Sequence, residues 1–176
     1  TEFGWRAVTG GVYRMNDLSN ANASYPEVTI SDFEMTRTEV TVAQYKLCVD
    51  DGTCSTPSSN NGCSWGLPDN GSLPMNCIQH SNAVTYAAWV DGQDNAHDVS
   101  LPSESEWEYA ARSQGQAHAL AANASAITCD NFTSRASLCG LSQVSDVCGQ
   151  STNLSDPSND SDTDQGLCDM VGSVSE

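Results

Sequence analysis

Leu101 to Arg112 reads LPSESEWEYAAR, and the rest of the chain is organised around this stretch. Pro102 cannot donate to a sheet ladder, so it marks a boundary between elements. Ser103 stands three residues before Glu106, the capping-box spacing in which each side chain bonds the other residue's backbone N–H. Glu104 and Glu106 set negative charge against the positive end of the helix dipole. Trp107, Ala110 and Ala111 share one face at i, i+3 and i+4, with Tyr109 at its margin. The spacing therefore predicts a helix that packs one aromatic and two small residues inward. Arg112 closes it, at the end where a cation is favoured.

Working outward, Thr41 and Gln44 form a second capping box, opening a helix through Ala43, Tyr45 and Leu47 to Val49, with Gly52 as its stop. Ser81 to Val90 predicts a third helix, apolar at Ala83, Val84, Ala87, Ala88 and Val90, with Gly92 behind it. Trp5 to Asn16 alternates apolar and polar residues around Gly10-Gly11, as a hairpin would, and Val28 to Met35 alternates as a half-buried strand. Between Asp50 and Asn76 the chain is Gly, Ser, Asn, Pro and Cys, a loop long enough to need pinning. Ser113 to Pro157 shows no sustained periodicity, and Ser151 to Gln165 is polar and acidic. Internal repeats are absent, and residues 1–176 read as one domain.

Composition narrows the function classes. The 176 residues carry six Lys+Arg against 23 Asp+Glu, a formal charge of −17, with a mean hydropathy of −0.40. Phosphates would be repelled, so nucleic acid is not an expected partner. Such a charge suits a solvated extracellular surface, and clustered carboxylates can hold divalent cations. No apolar run approaches the ~20 residues of a membrane-spanning helix. The chain opens on Thr1 without methionine, and a removed signal peptide is expected.

The eight cysteines fall as Cys48, Cys54, Cys63 and Cys77, then Cys129, Cys139, Cys148 and Cys168. An even number in loop-rich segments predicts disulfides in an oxidising compartment, secreted, extracellular or periplasmic. No C-x-x-C occurs, and the three histidines show no ligand spacing, so zinc is not expected. Short loops favour Cys48 with Cys54 and Cys63 with Cys77, each worth roughly 2–4 kcal/mol if unstrained. In the second half Cys148 with Cys168 is the expected bridge. Six N-x-S/T sequons permit glycosylation in a eukaryotic host.

Three motifs, in order, carry a family resemblance. LPSESEWEYAAR resembles the L-P-[TS]-E-x-E-W-E-[YF]-A-A-R signature of the formylglycine-generating enzyme (sulfatase-modifying factor) family. Glu39-Val40-Thr41-Val42-Ala43-Gln44-Tyr45 is similar to its E-V-T-x-x-Q-Y, and Gly166 to Glu176 (GLCDMVGSVSE) to its G-L-x-D-M-x-G-N-V-W-E. The resemblance covers about Trp5 to Glu176. It implies an α+β, loop-rich formylglycine-generating-enzyme-like fold, related to the C-type lectin fold and here disulfide-stapled.

The terminal motif has its own chemistry. Asp169 and Glu176 are hard oxygen donors, and Gly172 lets the backbone turn so that carbonyls can point inward, the mixture that calcium takes. The resemblance implies a structural calcium held by the side chains of Asp169 and Glu176 and the carbonyls of Gly172 and Val174; the alternative is a solvated acidic turn. The family's second calcium site would begin at Asn131 and Phe132, where a cysteine cluster without metal is the competing reading. Ser173 and Ser175 depart from the family's Asn and Trp.

Catalysis in the family uses two cysteines that bind copper(I), placed after the terminal motif. Soft thiolates are what copper(I) requires, and no cysteine of this sequence matches them. The domain is thus expected to lack its C-terminal part, and as given it leans away from being an enzyme. The resulting expectation is a secreted, non-catalytic, calcium-binding module used in binding a protein or glycan ligand, or in extracellular self-assembly. The alternative is the N-terminal part of a copper-dependent oxidase converting cysteine to formylglycine in sulfatases.

Overall fold

Two arms of chain, residues 6–14 and 27–35, lie along each other in one antiparallel register. β1 (Arg6–Val8) pairs with β4 (Phe33–Met35), and β2 (Gly11–Arg14) pairs with β3 (Glu27–Ile30). Arg6 faces Met35 and Val8 faces Phe33; beyond a break, Gly11 faces Ile30 and Arg14 faces Glu27. The computed structural model describes residues 3–17, 21–60, 62–116, 146–148 and 163–170.

The expected hairpin around Gly10-Gly11 is therefore corrected. β1 and β2 are not partners but successive pieces of one arm, and the 28–35 stretch is likewise two strands. Alternation shows that a segment is extended; it does not say what the segment pairs with. Gly10 marks the break because a Cβ there would lie 2.3 Å from the Ile30 carbonyl oxygen. Its N–H donates instead to Asp32 Oδ1 at 2.7 Å, bridging the interruption.

α3 (Glu104–Ala111) lies across this ribbon, with both capping-box bonds between Ser103 and Glu106 in place. Its inward face differs from the expected one. Tyr109, Ala110 and Ala111 are buried, whereas Trp107 is half-buried and packs at the edge of the cluster. Tyr109 turns inward because the ribbon offers it both an acceptor and an aromatic partner. Its hydroxyl donates to the Thr9 carbonyl at 3.0 Å, and its ring lies 5.3 Å from Tyr13. The Tyr13 hydroxyl returns the contact by donating to the Ser105 carbonyl at 2.9 Å. Burial first, and then the nearby Glu108 carboxylate, push the Tyr13 hydroxyl up to about 12, so it remains a donor at neutral pH. Val8, Ile30, Leu167 and Met170 complete this cluster.

Arg112 is more than a dipole partner at the end of α3. It is 1% exposed. Its guanidinium donates to the carbonyls of Arg14 (3.0 Å), Asp17 (2.8 Å) and Gln116 (3.1 Å), and to Glu108 Oε1 at 2.8 Å. The Glu108 carboxylate in turn accepts the Asn16 N–H at 2.8 and 3.1 Å. The pair thus clamps the outgoing end of β2 onto the helix. The following residues are ordered by the same contact: Ser113 is fully buried, and Gly115 turns with φ +71°. A Cβ at Gly115 would lie 2.6 Å from Tyr13 Cβ and 2.8 Å from Tyr109 Cδ2, so this turn accepts only glycine.

A second apolar cluster joins α1 (Val42–Asp50) and α2 (His80–Asp91). The capping box of α1 is complete, with Gln44 N–H donating to Thr41 Oγ1 and Gln44 Oε1 accepting the Thr41 N–H. α2 starts one residue before the expected Ser81 and carries no side-chain cap. The helices bury Val42, Tyr45 and Cys48 against Tyr86 and Val90, with Tyr45 and Tyr86 stacked at 5.3 Å. Leu47 and Val84, both expected to be apolar packing positions, are 46% exposed. Each lies on the flank of a helix whose aromatic residue took the inward place.

The loop after α1 is pinned as its cysteines predicted, by Cys48–Cys54 and Cys63–Cys77. Asn76 accepts the Ser64 N–H, and Asn70 donates to the Ser64 and Trp65 carbonyls, so these backbone groups of the loop are satisfied internally. Removing one partner of a buried ion pair leaves the other charge uncompensated. Arg112→Ala should therefore lower the unfolding free energy by about 3–5 kcal/mol. Arg112→Lys should lose most of the same amount, because an ammonium cannot fork to carbonyls on both sides. Urea denaturation followed by tryptophan fluorescence checks both; full stability in Arg112→Lys would mean that charge alone holds the clamp.

Candidate metal centre and its surroundings

The expected calcium motif begins on a segment that is tightly held. Gly166 N–H donates to the Thr163 carbonyl at 2.7 Å, Thr163 N–H to the Leu167 carbonyl at 2.9 Å, and Leu167 N–H to Thr163 Oγ1 at 3.2 Å. Outward ties fix this loop in place: Asp164 N–H donates to Ser113 Oγ and Cys168 N–H to the Arg37 carbonyl. Leu167 is fully buried and Met170 nearly so, both in the cluster under α3. The motif is thus anchored against α3.

Asp169 follows in left-handed backbone, φ +56°, a region that Asp tolerates better than most residues. It is 3% exposed, and its Oδ2 accepts the Cys148 N–H at 2.5 Å. Cys148 is itself left-handed, φ +55°, and is bridged to Cys168, the residue before Asp169. Residues 146–148 are tied in turn to the earlier loop, with Val147 N–H donating to the Ser72 carbonyl and Ser72 Oγ to Asp146 Oδ1. A buried carboxylate needs compensation by hydrogen bonds or by a cation. The Cys148 N–H supplies one such bond, and hard oxygen is the donor chemistry that calcium takes.

Of the six expected metal ligands, only Asp169 falls within the described residues. Gly172, Val174 and Glu176 lie outside them, as do Asn131 and Phe132. Cys129 and Cys139 also lie outside, whereas the other six cysteines are bridged as expected. Among the described residues no three His, Cys, Asp or Glu side chains come together as a metal site.

The structure also gathers a group that sequence spacing did not single out. His97 Nδ1 lies 2.8 Å from Asp94 Oδ2, and its Nε2 lies 3.3 Å from Glu34 Oε2. Trp5 stacks on the imidazole at 4.6 Å, and Phe3 tilts against Trp5 at 5.7 Å. The only local signal was the Asp94/His97 spacing of three. Glu34 and Trp5 are brought in by the pairing of β1 with β4.

With fold and geometry in place, comparison with known proteins defines the class. Residues 5–176 match the Sulfatase-modifying factor enzyme 1-like domain, and the chain belongs to that family. None of the curated proteins matches it by sequence. Among solved structures, PvdO from Pseudomonas aeruginosa shares the fold, with a TM-score of 0.57 at 17% identity over 81% of this chain and 60% of that one. CarF overlaps with a TM-score of 0.48 at 19% identity, over 66% of this chain and 58% of that one. The chain thus spans about three fifths of the length of the solved chains it resembles.

Asp169→Ala removes the acceptor of a hydrogen bond to a charged group, and should cost about 1–3 kcal/mol even with all divalent metal chelated. Asp169→Asn, which keeps an acceptor oxygen, should cost less. Chemical denaturation in excess chelator separates this local effect from metal binding; equal stability of Asp169→Ala and the unmodified chain would show that the Cys148 bond contributes nothing.

Proposed function

We propose that this chain is an extracytoplasmic, calcium-structured module of the sulfatase-modifying-factor family that acts in binding or assembly rather than in oxidation. The observation that carries the reading is the state of its thiols. Every described cysteine is spent on a bridge that pins a loop or the Asp169 turn, so none is left as a soft thiolate for copper(I). Disulfides also fit an oxidising compartment outside the cytoplasm, extracellular or periplasmic. No helix among the described residues is long and apolar enough to cross a membrane.

In this reading Asp169 and Glu176 hold calcium by side chain and Gly172 and Val174 by carbonyl, with Asn131 and Phe132 at a second site. The ion would lock the terminal motif against the cluster beneath α3. The partner would be a protein or glycan, or a further copy of the chain. A second reading, as part of a copper-dependent oxidase acting on sulfatase cysteines, is favoured by family membership itself. The chain spans 60% of PvdO's length, and in the family the copper cysteines follow the terminal motif.

A ligand that binds only the folded state stabilises it by RT ln(1 + [L]/Kd), about 2.7 kcal/mol at a hundredfold excess over Kd. Chelating calcium should accordingly lower the Tm by several degrees, at roughly 2–4 °C per kcal/mol for a chain of this size. Asp169→Ala and Glu176→Ala should each abolish that difference. An unchanged Tm on chelation removes the calcium reading. In a parallel assay the 176 residues with copper should leave a sulfatase-motif peptide unoxidised; formylglycine formation would establish the oxidase reading instead.

A further inference from the structure

A pocket opens between Phe3 and the last turn of α2, lined by Phe3, Trp89, Gln93, Asp94 and Asn95 among others. These residues stand outside the calcium motif, on the flank of the Trp5–His97–Asp94 group. The pocket measures 530 Å³, within the range that accepts a small molecule or one large side chain. We propose that it binds an organic cation, a guanidinium or alkylammonium group, either free or borne on a basic side chain.

Both aromatic walls are held in place before any ligand arrives. Trp89 Nε1 donates to Asp51 Oδ2 at 3.0 Å, and its ring packs against Tyr86 at 5.8 Å. Phe3 leans on Trp5, which stacks on His97, which is hydrogen-bonded to Asp94. Aromatic faces attract cations through the ring quadrupole, and pre-set walls spare the ordering cost of closing around one.

The charge on the pocket's own lining has one sign, while Arg6 and Arg37 line a neighbouring cavity that shares Phe3. Asp94 is the single charged lining residue, and the Ala96 N–H, followed by His97, holds its carboxyl below the usual range, so it stays ionised. Asp51 sits against the outer edge of Trp89, and Asp91 ends α2, whose C-terminal dipole also favours a cation. No Lys or Arg lines the pocket, and the whole chain carries −17. Phosphate, sulfate and acidic sugars are disfavoured by the same field that draws cations inward. A neutral sugar could stack on the rings but would gain nothing from this field.

The test is an NMR titration of the intact chain, reading the Trp89 indole N–H. The probes are agmatine, the peptide Ac-Gly-Arg-Gly-amide, its citrulline counterpart as a neutral isostere, and cellotetraose. Saturable shifts are expected with both cations, with the citrulline peptide weaker by about fivefold or more. Binding should weaken further as salt rises to about 0.5 M. If the peptide binds more tightly than agmatine, the natural cation is a side chain; the reverse order identifies a free amine or guanidine. Asp94→Asn should weaken both cations severalfold. Asn95→Lys, at an exposed position that leaves the core untouched, should abolish binding. Failure of either cation to saturate, equal binding of the citrulline peptide or the sugar, or unchanged binding in Asn95→Lys would each overturn the assignment.

Discussion

Much of this fold hangs on one buried guanidinium. Arg112 closes α3, and its donors reach carbonyls at Arg14 and Asp17, about a hundred residues away in sequence, as well as the local Gln116 carbonyl. An arginine this deep is costly to desolvate unless all its hydrogens are directed at acceptors. Glu108 supplies the countercharge and at the same time holds the Asn16 N–H, so one ion pair fastens both the helix end and the exit from β2. The ring of Tyr13 lies 5.4 Å from the guanidinium carbon and forms another wall of the site. Contrast the exposed Lys46–Asp50 pair on α1, whose geometry is close but whose solvent screening leaves it little to contribute.

From that clamp the remaining parts follow in layers. α3 presses Tyr109 and two alanines onto the ribbon, and the ribbon's inner residues meet Leu167 and Met170 from the far end of the chain. The Asp169 turn is therefore built on the back of the helix that Arg112 anchors. Disulfides do what the small cores cannot. Cys48–Cys54 and Cys63–Cys77 hold the long loop beside α1, and Cys148–Cys168 ties the Asp169 turn to a segment that touches Ser72. Calcium, in the proposed reading, would add to the same turn a constraint that can be removed without breaking a covalent bond.

Membership in the sulfatase-modifying-factor family is carried by the match over residues 5–176, and the likeness to PvdO at low identity shows the shared fold. A fold of this kind does not dictate what its members do. The chemistry of this chain itself is set by described cysteines spent in bridges, a strong negative charge, and aromatic residues gathered where the β1–β4 pair meets the loop after α2.

Local rules were legible in the sequence because they are written within a few residues. Both capping boxes, the helix they open in each case, and the short-range cysteine pairings depend on spacings of three to about twenty positions, and the chain carries them openly. The order of the three motifs likewise marked the family. Tertiary structure alone decided the rest. Alternation around Gly10 could not say whether β1 turned back on itself or ran on beside β4, since the side-chain period is the same in both. Helical spacing allowed either Trp107 or Tyr109 to face inward, and the Thr9 carbonyl chose the tyrosine. Asp94 and His97 are neighbours in sequence, but Glu34 and Trp5 join them only through strand pairing. Arg112 read as a cation at a helix end, because the carbonyls that make it a clamp belong to a strand laid down nearly a hundred residues earlier.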